Sequence, residues 1–136
     1  MKDRIVLDSS VIAAVFFKEE ESLAADKAME GLMPITVEIA MAEVANVAWK
    51  KALFFDEPKN AVYRAMLLSR DFILNACQVI PTEAVLEEAF KIALESKITI
   101  YDSLFVAASK KTKAPLLTSD KKLYERTKGT YDLLMI

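Results

Sequence analysis

The chain has 136 residues, 54% of them hydrophobic and 28% charged, with a formal net charge of −2. It is long enough for one domain with a buried core, and charges interrupt each apolar run before the ~18 residues that a membrane span needs. The chain has no histidine, one cysteine and two glycines. These counts exclude Ser-His-Asp and Cys-His catalysis, an ordinary zinc site, an internal disulfide and a glycine-rich phosphate loop. Because no cationic leader opens the sequence, we expect a cytoplasmic protein.

Strands and helices alternate along the predicted chain, which is typical of a parallel α/β sheet with helices on both faces. No linker or repeat divides the sequence, so we expect one domain over residues 1–136. The predicted elements, in chain order, are strand 4–8, helix 9–17, helix 21–32 closed by Gly31, strand 33–36, helix 37–54, helix 56–75 with Asp56 as N-cap and Pro58 in its first turn, strand 77–80, helix 82–96 with Thr82 as N-cap, helix 101–113, strand 114–119, helix 120–128 and strand 131–136.

Four acids are candidate site residues. Asp8 directly follows the first predicted strand, Asp120 follows a later strand, and Asp102 stands at the start of a helix. Ligands of such sheets bind at the carboxyl ends of the strands, although Asp is also a good N-cap residue at these positions. Glu43 lies inside a helix where it cannot cap, and it shares a narrow polar stripe with Asn46, a pattern that a solvated face would also show.

If the fold brings these acids together, their mutual repulsion requires protonation or a bound cation. Two carboxylates about 4 Å apart repel by about 4 kcal/mol at an effective dielectric constant near 20. Oxygen ligands without His or Cys select hard ions such as Mg²⁺ or Mn²⁺, which assist phosphodiester hydrolysis. Eight basic and three acidic side chains lie between Lys97 and Lys128. This excess fits a phosphate-bearing partner, although some of these lysines equally complement a helix C-terminus.

Four motifs, in order, resemble the PIN domain and, within it, the VapC-like toxin ribonucleases. The opening strand "IVLDSSVIAA" carries Asp8, and "AEVANVAWK" resembles the helix with the second acid, Glu43. "ITIYDSLFVAAS" matches the pattern T-x-Y-D-x-x-x-x-A-x-A and places Asp102. "PLLTSDKKL" resembles L-x-T-x-D-x-x-L and places Asp120, with Thr118 as a supporting hydroxyl. The resemblance covers essentially the whole chain.

The resemblance implies a three-layer α/β/α fold and Mg²⁺- or Mn²⁺-dependent cleavage of RNA. Asp8 and Asp102 would contact the metal most directly, and Glu43 and Asp120 would complete the site. It further implies a VapB-like antitoxin as partner and a homodimer. No association with a membrane is expected. Thr118, Asn46 and Ser9 are expected to support the site, and Lys121 and Lys122 to contact the RNA backbone. Other acids are expected to be surface charge, namely Glu38, Asp71 and Glu19 to Glu21.

Two other classes of α/β protein need acids that this chain lacks. A response-regulator receiver needs a further acidic pair near Asp8, and a haloacid-dehalogenase-type phosphatase needs an acid at position 10, where this chain has Ser10. Two alternatives stay open: a PIN-fold module that binds RNA or protein without cutting it, and a housekeeping PIN nuclease. Metal binding followed by an RNA-cleavage assay separates the non-cutting module from a nuclease.

Overall fold

The computed structural model describes residues 3–136, and within them five strands form one sheet in which every neighbouring pair is parallel. The strands are β1 (Arg4–Leu7), β2 (Met33–Val37), β3 (Gln78–Ile80), β4 (Leu116–Thr118) and β5 (Leu133–Met135). Their spatial order is β3-β2-β1-β4-β5. The helices are α1 (Ser9–Phe16), α2 (Ser22–Met29), α3 (Ile39–Phe54), α4 (Lys59–Ala76), α5 (Thr82–Ser96), α6 (Ile100–Thr112) and α7 (Lys121–Thr127).

The centre of the sheet is its most apolar part. Ile5, Val6 and Leu7 of β1 are 0% exposed, and Leu116 and Leu117 of β4 are buried beside them. Such continuous apolar strands are typical of a parallel sheet that is covered on both faces. Because every neighbouring pair of strands is parallel, all five carboxyl ends lie at one edge of the sheet. The carboxyl ends of β1 and β4 lie side by side at that edge.

Two groups of helices cover the sheet. Helix α1 packs against α2, α3 and α4, whereas α5 packs against α6, which in turn packs on β1 and β2. Residues 103–109 of α6 are all buried because this helix lies between the sheet and α5. The predicted α/β/α architecture with a parallel central sheet is confirmed.

The predicted start of the fourth helix is wrong. Asp56 does not cap this helix, because its φ of +51° places it in the left-handed region. Pro58 occupies the N-cap position instead, and α4 begins at Lys59. Proline has no backbone N–H to satisfy and a fixed φ, so it fits directly before the first helical turn.

Two neighbouring predictions are corrected where β2 ends. Val37 belongs to β2 and pairs with Ile80 of β3, although the sequence pattern placed it in a helix. Thr82 is not an N-cap, since that position belongs to Pro81. The backbone N–H of Thr82 instead donates to Oε1 of Glu38 at 2.6 Å. This hydrogen bond lowers the pKa of Glu38, so an acid that is exposed as predicted also ties β2 to the start of α5.

Among residues 3–136, none of the helices combines the length and the apolar character that a bilayer crossing requires. The longest, α4, has 18 residues and carries charged side chains along its length.

Candidate active site

Asp8 follows β1 directly and is the N-cap of α1, with only 5% of its surface exposed. Its Oδ1 accepts hydrogen bonds from the backbone N–H of Val11 at 3.1 Å and from Ser10 Oγ at 2.6 Å. Its Oδ2 accepts a short hydrogen bond from the hydroxyl of Thr118. Three hydrogen-bond donors thus hold this buried carboxylate in place, and the one from Val11 is the N-cap contact of α1.

The surroundings of Asp8 disfavour its negative charge. Burial raises the pKa of Asp8 to about 6, the nearby charge of Asp102 adds to the rise, and the hydrogen bonds from Ser10, Thr118 and Val11 oppose it. No ion pair found within residues 3–136 involves Asp8. A buried carboxylate without a cationic neighbour is the kind of group that a bound cation stabilises.

Thr118 joins the end of β4 to the end of β1. Leu7 and Leu117 are partners in the parallel register, so the residues that follow them, Asp8 and Thr118, lie side by side. The Thr118 oxygen donates to Asp8 and accepts from the backbone N–H of Asp120 at 2.9 Å. The predicted supporting hydroxyl therefore contacts one candidate acid through its side chain and holds the backbone of another.

Asp102 does not cap its helix. Thr99 is the N-cap of α6, and its Oγ1 accepts a hydrogen bond from the Asp102 N–H at 3.1 Å. The capping reading of Asp102 is therefore wrong. Its carboxylate is half-buried in the first turn of α6, on the helix that packs against the middle of the sheet.

Asp102 is the electrostatic centre of the four acids. Burial raises its pKa most, the negative charges of Asp120 and Glu43 raise it further, and the Thr99 hydroxyl opposes the rise. The negative charge of Asp102 also contributes to the raised pKa of Asp8, after burial. The structure thus brings Asp8, Glu43 and Asp120 each within electrostatic range of Asp102, although the four acids come from four separate parts of the chain.

Glu43 and Asp120 lie on either side of this centre. Glu43 of α3 is half-buried, and its Oε1 accepts a short hydrogen bond from Ser9 Oγ. Asp120 is exposed and caps α7, its Oδ1 accepting from the Leu123 N–H at 3.1 Å. Capping and membership of the acid cluster are therefore compatible at Asp8 and at Asp120.

The donor set fits a hard divalent cation. The oxygens at Asp8 are those of its carboxylate and of the Ser10 and Thr118 hydroxyls, and the Asp102 carboxylate lies within electrostatic range; such oxygen ligands suit Mg²⁺ or Mn²⁺. Within residues 3–136, no three acidic or cysteine side chains are yet grouped tightly enough to form a complete metal shell. An ion held by three or more of these acids would therefore require their carboxylates to come closer together.

A cavity of about 410 Å³ opens beside the acids. Ser9, Glu43 and the predicted supporting residue Asn46 line it, together with Ser10 and Tyr101. Neither Ser10 nor Tyr101 was among the predicted site residues. The available signals were their positions, since Ser10 follows Asp8 by two residues and Tyr101 directly precedes Asp102.

The two predicted RNA-contacting lysines are exposed. Lys121 and Lys122 form the first turn of α7, directly after Asp120. No ion pair within the described part of the chain involves either of them. Lys110, another residue of the basic segment, instead pairs with Glu88.

Fold and site together define an α/β/α protein whose acids cluster at the carboxyl edge of a parallel sheet. The family model of the PIN domain matches residues 5–129 of this chain. The protein therefore belongs to the PIN-domain family, and the resemblance found in its motifs is confirmed.

Relatives of this chain include a named ribonuclease. Ribonuclease VapC3 of Pyrobaculum aerophilum is 36% identical over 128 residues, which cover 90% of this chain and 94% of that protein. The crystal structure of PAE2754 from Pyrobaculum aerophilum has a TM-score of 0.71 at 20% identity, covering 93% of this chain and 81% of that one. A toxin-antitoxin complex from Klebsiella pneumoniae has a TM-score of 0.70 at 18% identity, covering 96% of each chain. The two structures share the fold of this protein.

Proposed function

We propose that this protein is a metal-dependent ribonuclease of the VapC type, acting in the cytoplasm as the toxin of a toxin–antitoxin pair. The observation that carries the proposal is the position of Asp102 within electrostatic range of Asp8, Glu43 and Asp120. The 36% identity to a ribonuclease supports RNA as the substrate. One nuclease domain then accounts for residues 1–136.

We assign the metal to Asp8 and Asp102, with Glu43 and Asp120 completing the site. When bound there, Mg²⁺ or Mn²⁺ supplies Lewis-acid stabilisation of the charge that develops on the phosphodiester. Ser10 and Thr118 hold Asp8 in one rotamer, so the first ligand needs no reordering. Asp102, whose pKa is raised by burial and by the negative charges of Asp120 and Glu43, would be stabilised in its ionised form by such a positive charge.

The chain's own groups position water and RNA. The Ser9 hydroxyl orients Glu43, which accepts the proton of the attacking water. Lys121 and Lys122 contact backbone phosphates beside the acids, since both are exposed at the start of α7. With no histidine in the chain, attack by the 2′-hydroxyl of RNA lacks its usual acid and base.

Incubation of the purified protein with RNA tests this function. Cleavage is expected with Mn²⁺ or Mg²⁺ and not with a chelator, and Asp102→Asn is the matched control that removes one charge at nearly constant shape. Calorimetry is expected to show weaker Mn²⁺ binding by Asp8→Asn than by the wild type. Equal Mn²⁺ affinity, or RNA cleavage that persists in Asp102→Asn, would contradict the assigned site.

An antitoxin is the proposed partner, because an unrestrained cytoplasmic ribonuclease damages its host. The fold similarity to a toxin-antitoxin complex supports this partner. An arginine of the antitoxin suits the paired carboxylates near Asp8 and Asp102, since its planar fork binds them in a bidentate manner. Apolar anchors fit a groove of about 360 Å³ between α1 and α4, which Phe16, Phe17 and Leu68 help to line.

Expression of the chain alone tests the toxin role. Growth arrest is expected with the wild type and not with Asp8→Asn. If the active chain is harmless at high level and purifies without a partner, yet cuts RNA in vitro, a housekeeping PIN nuclease is the better description.

A second copy of the chain is proposed to cover α5. Leu86, Phe90 and Leu94 are 47%, 59% and 66% exposed and form one stripe at i, i+4 and i+8. Glu87 and Lys91 lie beside this stripe. A two-fold axis near the middle of α5 places Glu87 of one copy close to Lys91 of the other.

Light scattering tests this dimer. Phe90→Glu is expected to halve the measured mass, because two added charges would meet at the axis. Leu23→Glu, on the 73% exposed Leu23 of α2, is the control and should keep the dimer. A monomeric wild type would contradict the proposal.

A further inference from the structure

Tyr101 presents an aromatic ring to solvent directly beside the acid cluster. It is the second residue of α6 and is 54% exposed, whereas residues 103–109 of the same helix are all buried. The aromatic pairs found within residues 3–136 are Phe16–Phe72 and Trp49–Phe54, so this ring has no aromatic partner there. The fold does not use the outer face of Tyr101 for packing.

The cavity beside Tyr101 combines apolar walls with one amide. Ile39 and Val47 contribute apolar surface, and Asn46 contributes a side chain that can both donate and accept hydrogen bonds. Ser9 and Glu43 belong to its lining and are joined by a hydrogen bond, so the cavity is continuous with the acid cluster. Its volume of about 410 Å³ is that of a small-ligand site.

The charge of this lining argues against a phosphate as the occupant. Among the described residues the lining includes the carboxylate of Glu43 and no cationic side chain. A nucleobase has uncharged apolar faces and a polar edge, which match an aromatic ring, aliphatic walls and an amide. RNA is read in this way where bases are unpaired, by stacking on aromatic side chains and hydrogen bonding along the base edge.

We propose that Tyr101 stacks on one unpaired base next to the scissile phosphate and that Asn46 contacts the edge of this base. The inference rests on the proposed ribonuclease function and names the substrate feature that the site selects. A base inside a duplex is stacked on its neighbours and cannot enter the cavity. The two contacts therefore give the site a preference at one base position.

Binding of a fluorescent single-stranded RNA in the presence of a chelator tests the stacking contact without cleavage. Tyr101→Ala is expected to raise the Kd by about 5- to 140-fold, the range of one lost base–aromatic stack. Tyr101→Phe keeps the ring and should stay within about twofold of the wild type. Tyr63→Ala removes a tyrosine of α4 that is 60% exposed and is the matched control, with no change expected.

A series of RNAs, each with a single abasic nucleotide, identifies the base. At one position, an abasic nucleotide should raise the Kd of the wild type. The same abasic nucleotide should leave the Kd of Tyr101→Ala unchanged, because both changes remove the same stack. In cleavage assays, Tyr101→Ala should raise KM more than it lowers kcat.

Three results would overturn the base contact: unchanged Kd and KM in Tyr101→Ala, additive losses at every abasic position, or a loss confined to the binding of a protein partner. The failure of the ribonuclease proposal looks different. A wild type that cleaves no RNA with any metal, but shows the Tyr101-dependent loss of binding, keeps the base contact and rejects the nuclease.

Discussion

Asp8 makes the stability of the protein depend on pH. The pKa of its carboxyl is about 6 in the fold against 3.8 in the unfolded chain. The folded state therefore holds a proton that the unfolded state has released, and the stability contributed by this group falls as pH rises from about 4 to about 6. Above that range, a shift of about two pKa units costs the metal-free fold about 3 kcal/mol.

Asp8→Asn should therefore stabilise the metal-free protein at pH 8 and destabilise it at pH 4, where the wild-type carboxyl is already protonated and only the lost hydrogen bond from Thr118 counts. The gain should be about 1 to 2 kcal/mol, or a few degrees in Tm, because the Thr118 hydroxyl loses its acceptor in the variant. Thermal unfolding with a chelator at both pH values measures it. Asp71→Asn, at an exposed acid, serves as the control. A lower Tm for Asp8→Asn at pH 8 would contradict the raised pKa.

Glu43→Gln should separate catalysis from binding. The amide keeps the shape and the contact with Ser9 but cannot accept a proton, so kcat should fall by about 10²- to 10⁴-fold while the Kd for RNA changes little. Ser9→Ala should lower kcat less, because Glu43 loses its orientation and not its charge. Single-turnover cleavage and RNA titration measure the two quantities. A parallel loss of RNA affinity in Glu43→Gln would assign Glu43 to binding.

Lys121→Ala and Lys122→Ala should each weaken RNA binding without changing its sequence preference. A lysine that neutralises one phosphate contributes close to one unit of the slope of log K against log salt, so each variant should lower that slope by about 1. Lys110→Ala is the matched control, since Lys110 is paired with Glu88. If both variants keep the wild-type slope of log K against log salt, the RNA backbone does not contact Lys121 or Lys122.

The sequence identified the acids more readily than their surroundings. Asp8, Asp102 and Asp120 could be selected because acids at the carboxyl edge of a parallel sheet follow from strand periodicity and from motif order. Ser10 and Tyr101 escaped selection because serine after a helix cap and tyrosine in a helix are common in any protein. Only the three-dimensional neighbours of their side chains distinguish them.

At the scale of elements, the N-cap of α6 determines how Asp102 is presented. Thr99 Oγ1 accepts from the Asp102 N–H and the Thr99 carbonyl accepts from Ser103 Oγ, so this residue orders the first turn of the helix. The position of Asp102 depends on that turn, because Asp102 itself has no capping role.

Thr99→Ala should lower the free energy of unfolding by about 1 kcal/mol, the usual cost of losing a threonine cap. It should also reduce cleavage more than the loss of folded protein explains, because the first turn that carries Asp102 loosens. Thr99→Ser keeps the accepting oxygen and is the control. Denaturant unfolding and kcat at a temperature where both variants are folded give the two values, and an unaltered kcat in Thr99→Ala would contradict the positioning role.

Helix starts were harder to predict than helices. Periodicity identified α4 and α5, but the N-caps assigned to Asp56 and Thr82 are wrong. In both cases a proline next to the helix fixes φ and takes the cap position. The backbone N–H of Thr82 donates to the carboxylate of Glu38, which is distant in sequence. No local sequence pattern could therefore have revealed this contact.

At the scale of the whole molecule, the alternation of elements predicted the layers but not the order of the strands. The order β3-β2-β1-β4-β5 places β4 next to β1, although more than 100 residues separate Leu7 from Leu117. Local periodicity carries no information on such a pairing. Burial explains it afterwards, since the two most apolar strands occupy the centre of the sheet.

The chemistry of the products tests the mechanism of the whole protein. Cleavage that uses water at a metal held by carboxylates should leave 5′-phosphate and 3′-hydroxyl ends. Mass spectrometry of a short RNA after partial digestion identifies the ends. An RNA with a 2′-deoxy nucleotide at the cleaved position is the matched substrate and should still be cut. Mainly 2′,3′-cyclic phosphate ends would reject the mechanism.

The hydrogen bond between Thr118 and Asp8 joins the end of the central strand, β1, to the end of its neighbour β4. Opening this pair exposes fully buried residues such as Val6 and Leu116, so hydrogen exchange at their amides should require global unfolding. Tyr101 and Asp120 stand exposed at helix starts, where the backbone can open locally. The part of the site that contains Asp8 and Thr118 thus persists for as long as the fold does. The part that contains Tyr101 and Asp120 is free to adapt to the RNA that enters the site.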